Sequence, residues 1–195
     1  MNLKLPVIQN GKPEMIICEK SPEQEMQTEE GIERARRIEA KMVQPEEDNM
    51  LAVCTYMTKV ALDARIIDPE AEEYDGGKVA LCAEKIIEIN KENPGTAQAV
   101  FCDTNTPKKD AFSMYQALRD RLVRSGEFTE KEIAFVHDAA NDKQRLAMFE
   151  KVNNAEIKVI IGSTGKLGTG VNIQRKLSAL HHLDAPYRPS DIEQR

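Results

Sequence analysis

Three stretches of this 195-residue chain combine glycine, hydroxyl, amide and charged side chains in the way that phosphate binding requires. The densest is Gly162-Ser163-Thr164-Gly165-Lys166-Leu167-Gly168-Thr169-Gly170-Val171-Asn172. Glycines there let the backbone approach a ligand closely. Hydroxyls and backbone N–H groups bind phosphate oxygens without reading sequence, and Lys166 adds positive charge. The second stretch is Cys102-Asp103-Thr104-Asn105-Thr106-Pro107, and the third is Asp184-Ala185-Pro186-Tyr187-Arg188-Pro189, running on to Gln194-Arg195. A lysine after glycines invites comparison with the phosphate-cradling loop G-x-x-x-x-G-K-S/T. That comparison fails, because the first glycine of the spacing is absent and Leu167 stands where a metal-reaching hydroxyl is needed. A dinucleotide-binding G-x-G-x-x-G after a strand is absent too.

The elements around these stretches are expected to hold them at one end of a sheet. From residue 97 onward the pattern alternates strand and helix: strands at 97–102, 133–136, 158–161 and 179–183, helices at 110–125 and 141–152, and a further helix starting at Ser190. Gly126 suits a left-handed helix cap, and Asn141 an N-cap. Continuous apolar strands in such units indicate a parallel sheet covered on both faces, with ligands at the carboxyl ends of the strands. The first half reads differently. Residues 14–18 form a short apolar run, a candidate strand. Ser21-Pro22-Glu23-Gln24 carries the marks of a capping box and opens a charged helix. Leu51, Cys54, Met57, Ala61 and Leu62 recur at the spacing of a buried stripe on a helix over 51–67, and residues 78–93 form a third helix with Val79, Cys82, Ile86 and Ile89 inward.

Composition bounds the function. A hydrophobic fraction of 41% is enough for a core, and 5% aromatics without Trp means a core of aliphatic side chains. The net charge of −6 argues against a simple basic coating protein for nucleic acid. The charge is uneven: residues 1–99 hold 12 basic and 20 acidic side chains, residues 100–195 hold 15 and 13. Cys18, Cys54, Cys82 and Cys102 lie far apart in apolar stretches and read as free core thiols. His181 and His182 are adjacent on a strand, so they should face opposite ways. His137 reads as a satisfied structural histidine, and Arg145 equally as a partner for a neighbouring carboxylate or as a functional residue. No apolar run approaches the roughly 20 residues of a membrane span and no leader is evident, so a cytoplasmic protein is expected.

Ser163-Thr164 followed by Gly168, Gly170 and Asn172 resembles motif V of superfamily-two helicases, especially the Swi/Snf-like branch. Ala99-Val100-Phe101-Cys102-Asp103 resembles motif IV, and Gln144-Arg145 with Phe149 the helix that precedes motif V. Asp184 to Pro189 and then Gln194 resemble the lead-in to motif VI. The chain is similar to the helicase module of phage- or mobile-element-encoded proteins that join helicase and adenine-methyltransferase regions, closely over about 97–195 and more loosely before. The resemblance implies an α/β, parallel-sheet, RecA-like (P-loop NTPase-like) helicase C-terminal lobe over 78–195, ending within motif VI, with an N-terminal helical extension over 1–77. It implies the second motor lobe of an ATP-dependent DNA helicase or translocase.

On that resemblance Gly168, Gly170, Asn172 and Gln194 belong to the ATP cleft. Asp103, Thr104, Ser163, Thr164 and Lys166 touch nucleic acid. ATP and Mg2+ serve the intact protein, with Mg2+ held by the first RecA-like lobe of the same polypeptide; DNA, most simply duplex, is the other partner, and no membrane is involved. Arg195 falls too early to be an arginine finger, a group worth about 10³–10⁵ in rate elsewhere. This chain alone is therefore expected to bind no cofactor and not to hydrolyse ATP. Two other readings stand beside this one: a non-catalytic interaction or scaffold domain of the same fold, and a stand-alone nucleotide-binding enzyme.

Overall fold

The computed structural model describes residues 11–108, 111–168, 171–186, 188 and 190. Its elements run α1 (Pro22–Glu39), α2 (Met50–Val60), α3 (Lys78–Glu92), β1 (Ala97–Phe101), α4 (Met114–Arg124), β2 (Ile133–Phe135), α5 (Asp142–Asn153), β3 (Val159–Gly162), α6 (Thr164–Leu167) and β4 (Leu177–His182). The strands form one four-stranded sheet in the order β2-β3-β1-β4, and every pairing is parallel. The expected α/β architecture is therefore present.

β1 and β3 are buried at every position, as central strands flanked by helices must be. Val100, Cys102, Val159 and Ile161 pack against α3 and α4 through Ile86, Tyr115, Leu118 and Leu122. Ala97, Ala99, Phe101 and Ile160 pack on the other face against Phe149 and Val152 of α5 and Leu167 of α6. Each fully buried aliphatic side chain contributes about 1.5–3 kcal/mol by leaving water. From β1 the chain crosses β3 to reach β2, with α4 on the first face. It then winds back through β3 to β4 with α5 and α6 on the second. A constant crossover hand demands that change of face when the direction reverses. The reversal opens a crevice at the carboxyl ends of β1 and β3, the usual place for a ligand in such sheets.

Three elements depart from expectation. Residues 14–18 join no strand: Met15 and Ile17 are 88% and 85% exposed, and the segment lies along α3 with Glu14 on Lys85 at 3.1 Å. A short apolar run becomes a strand only where a sheet edge pairs with it, and this one pairs with none of the described strands. The α2 stripe is also shifted. Val53 and Val60 are buried while Leu51 and Cys54 are exposed, and the helix stops at Val60 before a 3-10 turn at Ala64–Ile66 that Asp63 caps. Finally, α4 starts at Met114, because Asn105 Oδ1 accepts the Met114 N–H at 2.8 Å and starts the helix there. The Ser21–Gln24 capping box is as read, and Gln24 also donates from Nε2 to the Val60 carbonyl at 2.6 Å, binding α1 to α2. Gly126 and Asn141 play their expected capping parts.

Glu73, in the loop before α3, ties this appendage to the sheet layer. It accepts from Arg121 at 3.0 Å and from Arg124 at 2.6 Å. Burial opposes its ionisation, but the hydrogen bonds from Arg124 and Arg121 outweigh that and hold its carboxyl below the usual range.

His181 and His182 do face opposite ways. His182 stacks on Phe101 at 5.6 Å between centroids, while His181 Nε2–H donates to Gln98 Oε1 at 2.8 Å. Gln98, 1% exposed, uses its Nε2 for the Ile86 carbonyl at 2.9 Å, so its oxygen must face the histidine and the histidine must donate. Burial, then His182 and Lys85, lower the His181 pKa from 6.5 to about 4. The unfolded chain thus binds a proton that the native chain refuses between those values. Stability from this group is complete above pH 6.5 and lost as pH falls toward 4, by an order-of-magnitude total of about 3 kcal/mol. Urea unfolding across that range should show the decline, and His181→Gln, which keeps a donor without titrating, should flatten it.

Candidate functional site

The register of the sheet brings the three chemistry-bearing stretches together. Phe101 is paired with Gly162 on one side and His182 on the other. The ladder runs on by one step, with Cys102 N–H on the Gly162 carbonyl and Leu183 N–H on the Phe101 carbonyl, each at 3.0 Å. Two residues past each strand end therefore stand Asp103, Thr164 and Asp184, side by side. Asp103 Oδ1 accepts the Thr164 N–H at 2.6 Å, and Oδ2 accepts the Thr164 hydroxyl at 2.7 Å. Asp184 Oδ2 accepts the N–H groups of Asp103 at 2.8 Å and of Thr104 at 2.7 Å. Thr164 and Asp184 are 8% and 7% exposed while Asp103 is exposed, so these charge-assisted bonds are partly buried.

The loop after β1 is held from below as well. Tyr115 donates its hydroxyl to the Cys102 carbonyl at 2.6 Å. Asn105, at a φ of 57°, donates to the Phe112 carbonyl at 3.1 Å while capping α4. Asparagine is one of the few residues besides glycine that takes this left-handed conformation readily. On the other side, Gly162 is required by close packing. A Cβ there would lie 2.6 Å from Leu167 Cδ1 and 2.7 Å from its Cγ, so only glycine lets α6 fold back onto the end of β3.

The residues singled out for nucleic acid divide into two groups. Ser163 is half-buried and Lys166 exposed, at the open side of the crevice, with Gly165 exposed between them. Thr164 points inward: the N–H and hydroxyl that the sequence offered to phosphate are both bound to Asp103. Both Asp103 oxygens are engaged in the same contact, and the Thr104 N–H is bound to Asp184. Among the residues assigned to an ATP cleft, Gly168 has φ −81° and ψ −26°, ordinary right-handed values. Asn172 leaves its side chain exposed while its carbonyl accepts from Asn153 Nδ2 at 2.8 Å. Gly170 and Gln194 lie outside the described residues, as do Tyr187 and Arg195.

Two further expectations resolve differently. Arg145 pairs with Asp142 at 2.7 Å, the first of its two readings. His137, just past β2, packs edge-on against Tyr115, but its buried Nδ1 has no hydrogen-bond partner among the described residues. Burial, then the charge of Lys166, lower its pKa, so it remains a neutral packing group. Asp184 and Gly162 were missed as site residues. Asp184 was visible in the third stretch, but only pairing of β4 with β1 shows what its carboxylate faces.

The family described as "Helicase conserved C-terminal domain" matches residues 78–195. The chain belongs to this family. No curated protein matches it. The all-parallel sheet flanked by helices is that of a RecA-like lobe, and the helicase C-terminal lobe is the second lobe of superfamily-two motors. None of the helices among the described residues is long and apolar enough to cross a membrane, and no group of three or more His, Cys, Asp or Glu among them is arranged to hold a metal ion.

Gly162→Ala should displace Leu167 and the start of α6, at a cost of about 1–3 kcal/mol, the range for overpacking a full core. Urea unfolding read by far-UV circular dichroism would measure it; a variant as stable as the parent would show that α6 repacks freely.

Proposed function

We propose that this helicase C-terminal lobe is the second motor lobe of an ATP-dependent DNA translocase or helicase of the Swi/Snf-like branch, from the kind of phage or mobile-element protein that joins helicase and methyltransferase regions. Residues 78–195 form the lobe in this reading, and 1–77 an extension leading into it. The observation that carries it is the convergence of three strand-end loops, in motif order, at the crevice where a RecA-like sheet reverses its winding. The branch assignment rests on the motif V pattern from Ser163 to Asn172 and on the order of the motifs around it.

Phosphates of the DNA backbone contact Ser163, the Gly165 N–H and Lys166 at the open side of the crevice. Such contacts are blind to sequence and suit a motor that moves along its track. Gly168, Gly170, Asn172 and Gln194 serve the ATP side. The exposed Asn172 carboxamide supplies both a donor and an acceptor, and this set contains no carboxylate for Mg2+. The metal, and the lysine that cradles the phosphates, come from the first RecA-like lobe. Hydrolysis is a property of the two lobes together, and this chain by itself is not a catalyst.

A scaffold reading has one observation in its favour. Met15, Ile17, Met26, Met42 and Leu51, all in the extension, are more than 60% exposed, which suits partner binding. The two readings separate on nucleic acid. Fluorescence anisotropy with a labelled 20-base-pair duplex should show binding that weakens steeply from 50 to 200 mM salt. Lys166→Ala should weaken it further and reduce the slope of log K against log salt by about 0.9, one phosphate contact. Binding that ignores salt, or none at 50 mM, would favour the scaffold. ATP turnover by this chain should stay at background with or without duplex.

A further inference from the structure

We propose that Asp184 and Asp103 are positioning residues of the motor, a two-carboxylate relay that fixes the nucleic-acid loop after β3 from the end of β4. This inference rests on the reading of the chain as a motor lobe. Asp184 holds the turn after β1 by accepting two successive N–H groups, those of Asp103 and Thr104. Asp103 then turns its carboxylate the other way and takes both donors of Thr164. A two-point contact to a single residue fixes orientation as well as place, and bonds to a charged acceptor are about twice as strong as neutral ones. Three loops from three different strands are thus joined by four short bonds, in the order β4, β1, β3.

Chemistry argues against Asp103 as a direct phosphate ligand. A carboxylate set against a phosphate is a like-charge contact, unfavourable unless a cation lies between, and both its oxygens are already engaged by Thr164. Its use is to hold Thr164, and so Ser163, Gly165 and Lys166 around it, in the arrangement that meets the DNA backbone. The third loop runs on from Asp184 toward Gln194, which the motor reading puts on the ATP side. A displacement of that loop therefore reaches the nucleic-acid loop through Asp103, with no contact between the two loops' own ligand-binding groups needed.

The test is a double-mutant cycle in duplex affinity, measured by anisotropy on this chain. Asp184→Ala and Asp103→Ala should each weaken binding about tenfold, as expected for loss of hydrogen bonds to a charged group. Neither should change the salt slope, because no cation leaves a phosphate. The double variant should bind within about twofold of either single one, since both cut the same relay. Asp103→Asn and Asp184→Asn keep a carbonyl acceptor and should bind about threefold more tightly than the alanine variants. Thermal melts by circular dichroism check folding; if an alanine variant does not melt cooperatively, the asparagine pair carries the same cycle with about threefold effects.

Effects that multiply to about a hundredfold in the double alanine variant, or unchanged affinity in either single variant, would overturn the relay. So would tighter binding by Asp103→Ala, the signature of a carboxylate facing phosphates. A parent chain that does not bind the duplex overturns the motor reading itself, a result distinct from a binding parent with indifferent variants.

Discussion

The structure depends on the parallel register that sets Phe101 opposite both Gly162 and His182. Side chains in a sheet alternate with a period of two, so one slip of β3 or β4 would exchange the residues on its two faces. The same register decides which loop residues meet beyond the strand ends. Asp103, Thr164 and Asp184 stand in one row because their strands end in one row. Their hydrogen bonds add to stability and also satisfy polar groups that burial would otherwise penalise. Core packing and site geometry thus follow from one pairing.

Around that sheet, polar groups with fixed partners do much of the joining. Gln98 passes from β1 to the α3 carbonyl at Ile86 and to His181 on β4 in one buried side chain. Asn153, 4% exposed at the end of α5, reaches the Asn172 carbonyl and the Arg175 N–H. Glu73 gathers Arg121 and Arg124 and anchors the appendage on α4. Aliphatic burial supplies most of the driving force, but it is tolerant of rearrangement. Buried polar contacts are not, since each misalignment leaves a donor or acceptor unpaired.

That arrangement suits a lobe whose surface must be read by two partners. The crevice side offers small residues, hydroxyls and Lys166, while Asp184 is buried on backbone N–H groups and Asp103 is engaged by the N–H and hydroxyl of Thr164. An acidic chain can present a phosphate-tolerant surface in this way without a basic patch. The appendage is different in kind: its long helices carry mixed charges outward and several apolar side chains in water.

Much of this was legible in the sequence. Strand and helix alternation after residue 97, the capping box at Ser21, the caps at Gly126 and Asn141, and the motif order each report local chemistry, and local chemistry survives without knowledge of the fold. The misread elements all needed distant partners. Residues 14–18 have the pattern of a strand but no edge beside them, and the inward face of α2 depends on how α1 crosses it, with Gly31 against Met57. The site divides the same way. Residue types and spacing by themselves pointed to the helicase C-terminal family. Only the tertiary structure decided that Thr164 faces Asp103 and that Asp184 supports both, because hydrogen-bond partners across a parallel sheet are set by register between strands some 60 to 80 residues apart.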